Sequence, residues 1–314
     1  KKVRCQTIYA LKEAKPAIGL GQICRMFGIT RQAYYQYFWR ANDCLIEEEL
    51  LIQKVNAIRQ RQPMIGTRKL YGMLQAFMIE HQIKMGRDAL FDLLSQHGLL
   101  VRRRNRKTKT TFSSHWLRKY PNLIKDIEPI KPNQIWASDI TYLETNEGFV
   151  YLSLITDTYS RKIMGYHIAD NLLAISSVEA LKMALKSLPQ KVDKLIHHSD
   201  RGIQYCSHEY VTLLQDYGLQ ISMTQNGNPL ENAIAERVNG ILKDEFLAKI
   251  IIKNLSHAQG LLREIIEIYN KERPHMSVGL LTPEQAHQME GKLERYWKNY
   301  YTNKGCKPMA GLSI

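Results

Sequence analysis

IWASDITYL (residues 135–143) is a short run of aromatic and β-branched residues interrupted by one charge, Asp139. That composition reads as a β-strand. FVYLSLITDTYSRKIMGYHIA (149–169) reads as two further strands around the turn residues Asp157 to Lys162. Ile175 to Leu188 is helical, KLIHHSD (194–200) is a strand ending on Asp200, Ser207 to Tyr217 is helical, and LQISMT (219–224) is another short strand. A loop with Gly227 and Pro229 leads into a long helix predicted from about Leu230 to Ala248. Strands in succession, followed by alternating helices and strands, predict an α/β fold: a mixed five-stranded sheet with flanking helices.

A carboxylate left unpaired inside an apolar strand costs several kcal/mol of desolvation, about 2–7 for a buried polar group and more for a charge, which singles out Asp139. Asp200 closes a second strand beside His197, His198 and Ser199, and Glu236 lies in ENAIAERVNGILKDEF (231–246) on a helix face shared with Asn232 and Gly240. Acids on strands and a helix that can converge point to a hard cation. Mg²⁺ prefers oxygen ligands and often takes only a few protein carboxylates, leaving its other positions to water and phosphate. Two such ions about 4 Å apart can activate an attacking oxygen and stabilise a leaving one in phosphoryl transfer. Each acid taken singly reads equally well as a cap or a surface charge.

Toward the N-terminus the chain turns basic. Residues 1–125 hold 24 Lys and Arg against 8 Asp and Glu, a net of +16, whereas 126–314 hold 20 against 22, a net of −2. Such a surplus suits a polyanion partner, most commonly nucleic acid, with a solvated basic surface as the alternative. In Ile18 to Arg40, Leu20, Ile23, Cys24 and Phe27 recur at helical spacing. Gly28 breaks the run, and Thr30 caps a next helix above Ala33, Tyr34 and Phe38. This is a helix-turn-helix pattern offering Arg31, Gln32, Gln36 and Arg40 to DNA; an ordinary helical hairpin fits it as well. The cluster Tyr34, Tyr35, Tyr37, Phe38 and Trp39 reads as core and dimer surface.

Residues 43–60 read as an amphipathic helix ending near Pro63. A second helical unit opens with Gly66, Thr67, Arg68 and Lys69, and a further helix opens at Gly86 and Arg87. Arg68, Lys69 and Arg87 stand at helix starts, where side chains and backbone N–H groups can both grip phosphate. RRRNRKTKTT (102–111) then carries Arg102, Arg103, Arg104, Arg106 and Lys107 without an apolar period. It reads as a linker that tracks a phosphate backbone, or as a solvated hinge. The predicted divisions are 1–42 and 43–101 (two helical DNA-binding modules), 102–131 (basic linker), 132–290 (catalytic core with helical tail) and 291–314 (extension). Five cysteines without a CxxC pair argue against a disulfide scaffold or a cysteine zinc site and suit a reducing compartment. No run of apolar residues has membrane-spanning length.

WASDITYL, HHSDRGIQYCS and NGNPLENAIAERVNGILKDEF, with 60 residues between Asp139 and Asp200 and 35 between Asp200 and Glu236, resemble the DDE catalytic core of IS3-family insertion-sequence transposases. That core is similar to retroviral integrase, in the ribonuclease H-like fold. A Lys seven residues after the Glu, Lys243, strengthens the likeness. It extends forward through Pro63 to Arg104 and onward through YNKERPHMSVGLLTPEQA (269–286), roughly residues 20–290. NPLEN (228–232) departs from the family's usual NCxDN, and no leucine zipper is evident at the front.

The resemblance implies a second-reading-frame product that frees a 3′-hydroxyl at an insertion-sequence end and joins it to another phosphodiester. Asp139, Asp200 and Glu236 would be the metal-binding triad, holding two Mg²⁺ ions with Mn²⁺ as a substitute, and Lys243 a DNA contact. His198, Ser199, Arg201, Gly202 and Tyr205 match a strand-end motif and, with Asn232 and Gly240, take supporting roles. Asn270, Arg273 and His275 would hold DNA or brace the core. Implied partners are double-stranded DNA (terminal inverted repeats and target), a second copy of the chain and the first-frame product, in the bacterial cytoplasm at the nucleoid. Two rival readings share the triad or the basic front: a ribonuclease H-like nuclease that cuts without joining, and a catalytically silent DNA-binding descendant.

Overall fold

The computed structural model describes residues 2–101, 116–125, 127–188, 194–225 and 232–296, excluding the side chains of Lys2 and 40–44. The predicted basic contacts Arg102, Arg103, Arg104, Arg106 and Lys107, the 228–231 stretch and the end of the chain lie outside the described residues. The chain divides into two compact units, Lys1–Gln60 with Leu74–Leu100, and Arg61–Met73 with Val101–Ile314.

The first unit is helical. α1 (Lys2–Ala14), which the sequence reading does not include, packs Ile8 against Ile23 and Cys24 of α2 (Leu20–Met26) and Tyr34 of α3 (Arg31–Arg61). Gly28 turns the chain at φ +65°, and the Thr30 hydroxyl accepts the Ala33 N–H at 3.1 Å, the expected cap. α3 runs unbroken past residue 42, where the sequence reading divides two modules. Its span contains neither Gly nor Pro, so nothing in it stops a helix. α4 (Thr67–Glu80) follows, its residues to Met73 belonging to the second unit, and α5 (Arg87–Gln96) buries Leu90, Leu93 and Leu94. No helix among the described residues is long and apolar enough to cross a membrane.

The second unit is built on β1 (Ile135–Thr145), β2 (Gly148–Asp157), β3 (Ile163–Ala169), β4 (Ile196–Ser199) and β5 (Gln220–Met223). The sheet order is β3-β2-β1-β4-β5. β1, β2 and β3 pair antiparallel, while β4 runs parallel to β1 and to β5. This is the mixed five-stranded sheet that the strand pattern predicts. Helices α6 (Ala174–Lys186) and α7 (His208–Asp216) cover one face over Trp136, Ile155 and Ile221. The other face buries Leu143, Leu152 and Leu154 under α8 (Ala233–Ile241) and α9 (Leu255–Lys271). Side chains alternate along a strand, so Asp139, in phase with Leu143, faces α8.

Two local features fix the frame. Asp157 is fully buried, but its carboxylate accepts the N–H groups of Asn133, Tyr159 and Ser160, so it builds the β2–β3 turn. Gly165 on β3 lies so close to α6 that an added Cβ would sit 2.1 Å from the Ala180 carbonyl oxygen and 2.7 Å from the Ala184 nitrogen. Both are backbone atoms, and neither can swing aside. Gly165→Ala is therefore expected to destabilise this unit by about 3 kcal/mol, at or beyond the upper end of ordinary overpacking. Chemical denaturation measures it directly, and an unchanged midpoint would show that α6 is free to slide.

Candidate active site

β4 is only four residues long, and its pairing with β1 runs Ile135 to Ile196, Trp136 to His197 and Ala137 to His198. Asp139 and Asp200 each follow the last of these pairs by two residues, so both acids emerge at the same end of the paired segment. The Asp200 carboxylate accepts the Gly202 N–H at 2.9 Å. A Cβ at residue 202 would lie 2.9 Å from that same oxygen, so the absence of a side chain lets the loop close over the acid.

α8 supplies the third acid. Asn232 donates from its side-chain nitrogen to the Ser138 carbonyl at 3.0 Å, and Asn239 donates to the Asp139 carboxylate at 2.8 Å. Asn232, Glu236 and Asn239 follow one another at spacings of four and three, so they share a helix face. Two bonds to adjacent β1 residues thus lay the Glu236 face of α8 over Asp139. The electrostatics agree: burial, together with the charges of Asp200 and Glu236, pushes the Asp139 carboxyl up to about 7 against the opposing Asn239 bond.

Behind the acids, His197 is buried with its Nε2 at 2.6 Å from the Ser138 hydroxyl and 2.8 Å from the Tyr210 hydroxyl. Burial holds this imidazole down to about 3, so it is neutral and braces the strand that carries Asp139.

The donors suit a hard cation. All three acids offer oxygen, and the Asn239 side-chain oxygen is buried without a hydrogen-bond partner on the same face. A cation among these groups would remove the like-charge repulsion that raises Asp139. Among the described residues, no three His, Cys, Asp or Glu side chains stand close enough together to hold one ion. Glu236 is exposed, whereas Asp139 and Asp200 are half-buried.

The other predicted site residues take the following positions. Lys69, expected to grip phosphate, lies within the second unit with its amine 2.8 Å from the Glu245 carboxylate. Arg273 grips the same carboxylate with two bonds of 2.9 Å, so it braces the core. Lys69, Glu245 and Arg273 side chains are only 13%, 18% and 2% exposed. Asn270 spans the Ile163 N–H and C=O, pinning edge strand β3, and His275 is buried edge-on against Tyr269. His198 is buried and bonded to the Ser222 hydroxyl, and the Ser199 hydroxyl bonds to the Asp200 carbonyl; neither bond is directed at the acids. Arg31, Gln32, Arg68 and Arg87 are exposed, Arg201 and Gly240 half-buried.

After Ile241 the helix widens into a π-helical turn, Leu242–Phe246, which carries both Lys243 and Glu245. The Lys243 amine rests 4.3 Å from the centroid of the Tyr142 ring.

Two models of the integrase core domain match the chain, over residues 129–229 and 217–283, and so span the three acids. The insertion element IS600 31 kDa protein of Shigella sonnei is 37% identical over 85% of this chain and 99% of its own length. The chain belongs to the IS3 family of insertion-sequence proteins. A transposase for IS629 from the same organism is 26% identical over 96% of this IS3-family chain and 98% of its own length. The HTLV-2 integrase catalytic core domain, solved in complex with magnesium, is 19% identical over 51% of this chain and 100% of that one, with a TM-score of 0.41.

The site of this IS3-family chain also contains residues that sequence reasoning passed over. Asn239 had a signal, three residues after Glu236 and hence on its face. Glu245 and Tyr142 had none, since an acid on a helix and an aromatic in a strand are ordinary.

Proposed function

We propose that the chain is a DDE transposase that cleaves DNA at insertion-sequence ends and joins the freed 3′-hydroxyl to a second phosphodiester. The observation that supports this best is the pair of bonds from Asn232 and Asn239 that bring the Glu236 face of α8 against Ser138 and Asp139, two residues past the β1–β4 pairing that leads to Asp200. These three would hold two Mg²⁺ ions, or Mn²⁺ in their place, whose Lewis acidity activates the attacking hydroxyl and offsets charge growing on the phosphate. Asn239 orients Asp139 for that duty, and Gly202 fixes Asp200. Lys243 meets a neighbouring phosphate. Arg31, Gln32, Arg68, Arg87 and the 102–107 run add sequence-independent grip on double-stranded DNA, from which Lys69 is excluded. Two ends and one triad per chain call for at least a dimer, working with the first-frame product in the bacterial cytoplasm.

The deciding assay supplies the full chain and Mg²⁺ with a pre-cleaved 3′-hydroxyl end and a second duplex, then maps joined strands. Joined product supports a transposase, cutting alone a nuclease, and DNA binding without either a silent descendant.

Lys243 gives a separate expectation. Lys243→Ala should weaken DNA engagement and joining, and Lys243→Arg should restore part of both, because guanidinium keeps the charge and the seat on an aromatic face. Titrations at several salt concentrations test it; parent-like binding and joining by the alanine variant would reduce Lys243 to a surface charge.

A further inference from the structure

β1 extends well past its last pairing with β4, at Ala137, and among the described residues no strand pairs with it on that side from Asp139 onward. Along this free edge runs a groove of about 440 Å³, bordered by Tyr142 to Asn146, Lys243 and Ile250 to Ile252. Tyr142 lies three residues from Asp139, about 10 Å along the strand and on the opposite face of the sheet, so the two meet only around the free edge of β1. Tyr142 is 37% exposed and Phe149 54%, and their rings meet at near right angles with centroids 5.4 Å apart. On the Tyr142 ring rests the Lys243 amine.

The geometry points to a nucleotide subsite at the free edge of β1, in which Tyr142 stacks an unpaired DNA base and Lys243 takes the adjoining phosphate. This rests on the transposase reading and adds to it the part of the substrate held there. An exposed ring with a cation on it offers both halves of a nucleotide's recognition, a π-face and a positive charge. Phosphate is the stronger partner for an ammonium, so DNA would draw Lys243 off the ring and free the face. The base must be unpaired, because within a duplex both its faces are already stacked. About 10 Å along the strand from Asp139, the subsite would lie within a few nucleotides of the scissile phosphate. Stacking does not distinguish bases, so the subsite would accept any sequence.

The test measures binding of the full chain, in metal-free buffer, to fluorescent duplexes ending in a 3′ overhang of thymidines. A single abasic position is scanned through the overhang. Tyr142→Ala should weaken binding about tenfold, within the range of one base–aromatic stack, while Tyr142→Phe binds like the parent. One abasic position should weaken the parent by a similar factor and have no further effect on Tyr142→Ala. Equal abasic penalties in the parent and the alanine variant at every position would overturn the subsite, as would a phenylalanine variant as weak as alanine. If DNA binds but shows no such coupling, only the subsite falls. If no DNA binds at all, the transposase reading falls with it.

Discussion

Asp139→Asn is expected to abolish cleavage and joining, by about a thousandfold or more, while DNA binding and folding persist. The magnitude follows from losing a ligand whose metal contributes several kcal/mol, each 1.36 kcal/mol being tenfold in rate. Binding persists because the basic surplus lies in residues 1–125, remote in sequence from the acid. Folding persists for a local reason. The amide keeps the shape and can still accept the Asn239 N–H, and it removes a charge that burial and two neighbouring acids disfavour. In metal-free buffer at neutral pH the variant should therefore melt no lower than the parent. Cleavage and strand-joining assays, anisotropy with end DNA and a thermal melt form one set of measurements. Substantial joining by the folded variant would remove Asp139 from the catalytic triad.

Glu245→Ala should destabilise the second unit by about 3–5 kcal/mol, the range for leaving buried charge uncompensated. Glu245 is the only acid bonded to Lys69 and to Arg273 among the described residues. Burial tends to raise its carboxyl, but Arg273 and Lys69 prevail and hold it below its ordinary range. Burial and the charge of Arg273 lower the Lys69 amine to about 8, despite its carboxylate partner. Removing the acid strands two cations, one of them nearly inaccessible. Lys69→Met should cost less, since it leaves the paired Glu245 and Arg273 with two bonds between them. Arg61→Ala, at an exposed pair with Glu272, should change stability least. Denaturation midpoints in that order support the assignment, and a Glu245→Ala midpoint equal to that of Arg61→Ala would refute it. A fragment cut at residue 126 loses Lys69 and the Met64 N–H bond to the Glu245 carbonyl, so it should be less stable than its fold suggests.

The strands, their order along the chain and the acid in the middle of β1 were legible in sequence because each is a local matter. β-Branched and aromatic runs favour extended backbone wherever they occur, and one charge in an apolar strand stands out against its neighbours. The IS3 likeness, too, was carried by short motifs and the spacings between them. Partners far apart in sequence were beyond that reading. Gly66 to Lys69 looks the same at a helix start whether the lysine meets phosphate or, as here, a carboxylate 176 residues away. Tyr142 is one aromatic among many in strand-like runs until the four-residue length of β4 leaves the edge of β1 open beside it. Nor does the run ILKDEF announce that the helix widens at Leu242 and turns Lys243 toward Tyr142 while Glu245 turns toward Arg273. The sequence by itself determined which segments are strands or helices and which side chains have the chemistry to act, since backbone sterics and side-chain type are set within a few residues. Tertiary structure decided which of those charges face a substrate and which are spent on one another, because that depends on pairing across the whole chain and on the water that packing excludes.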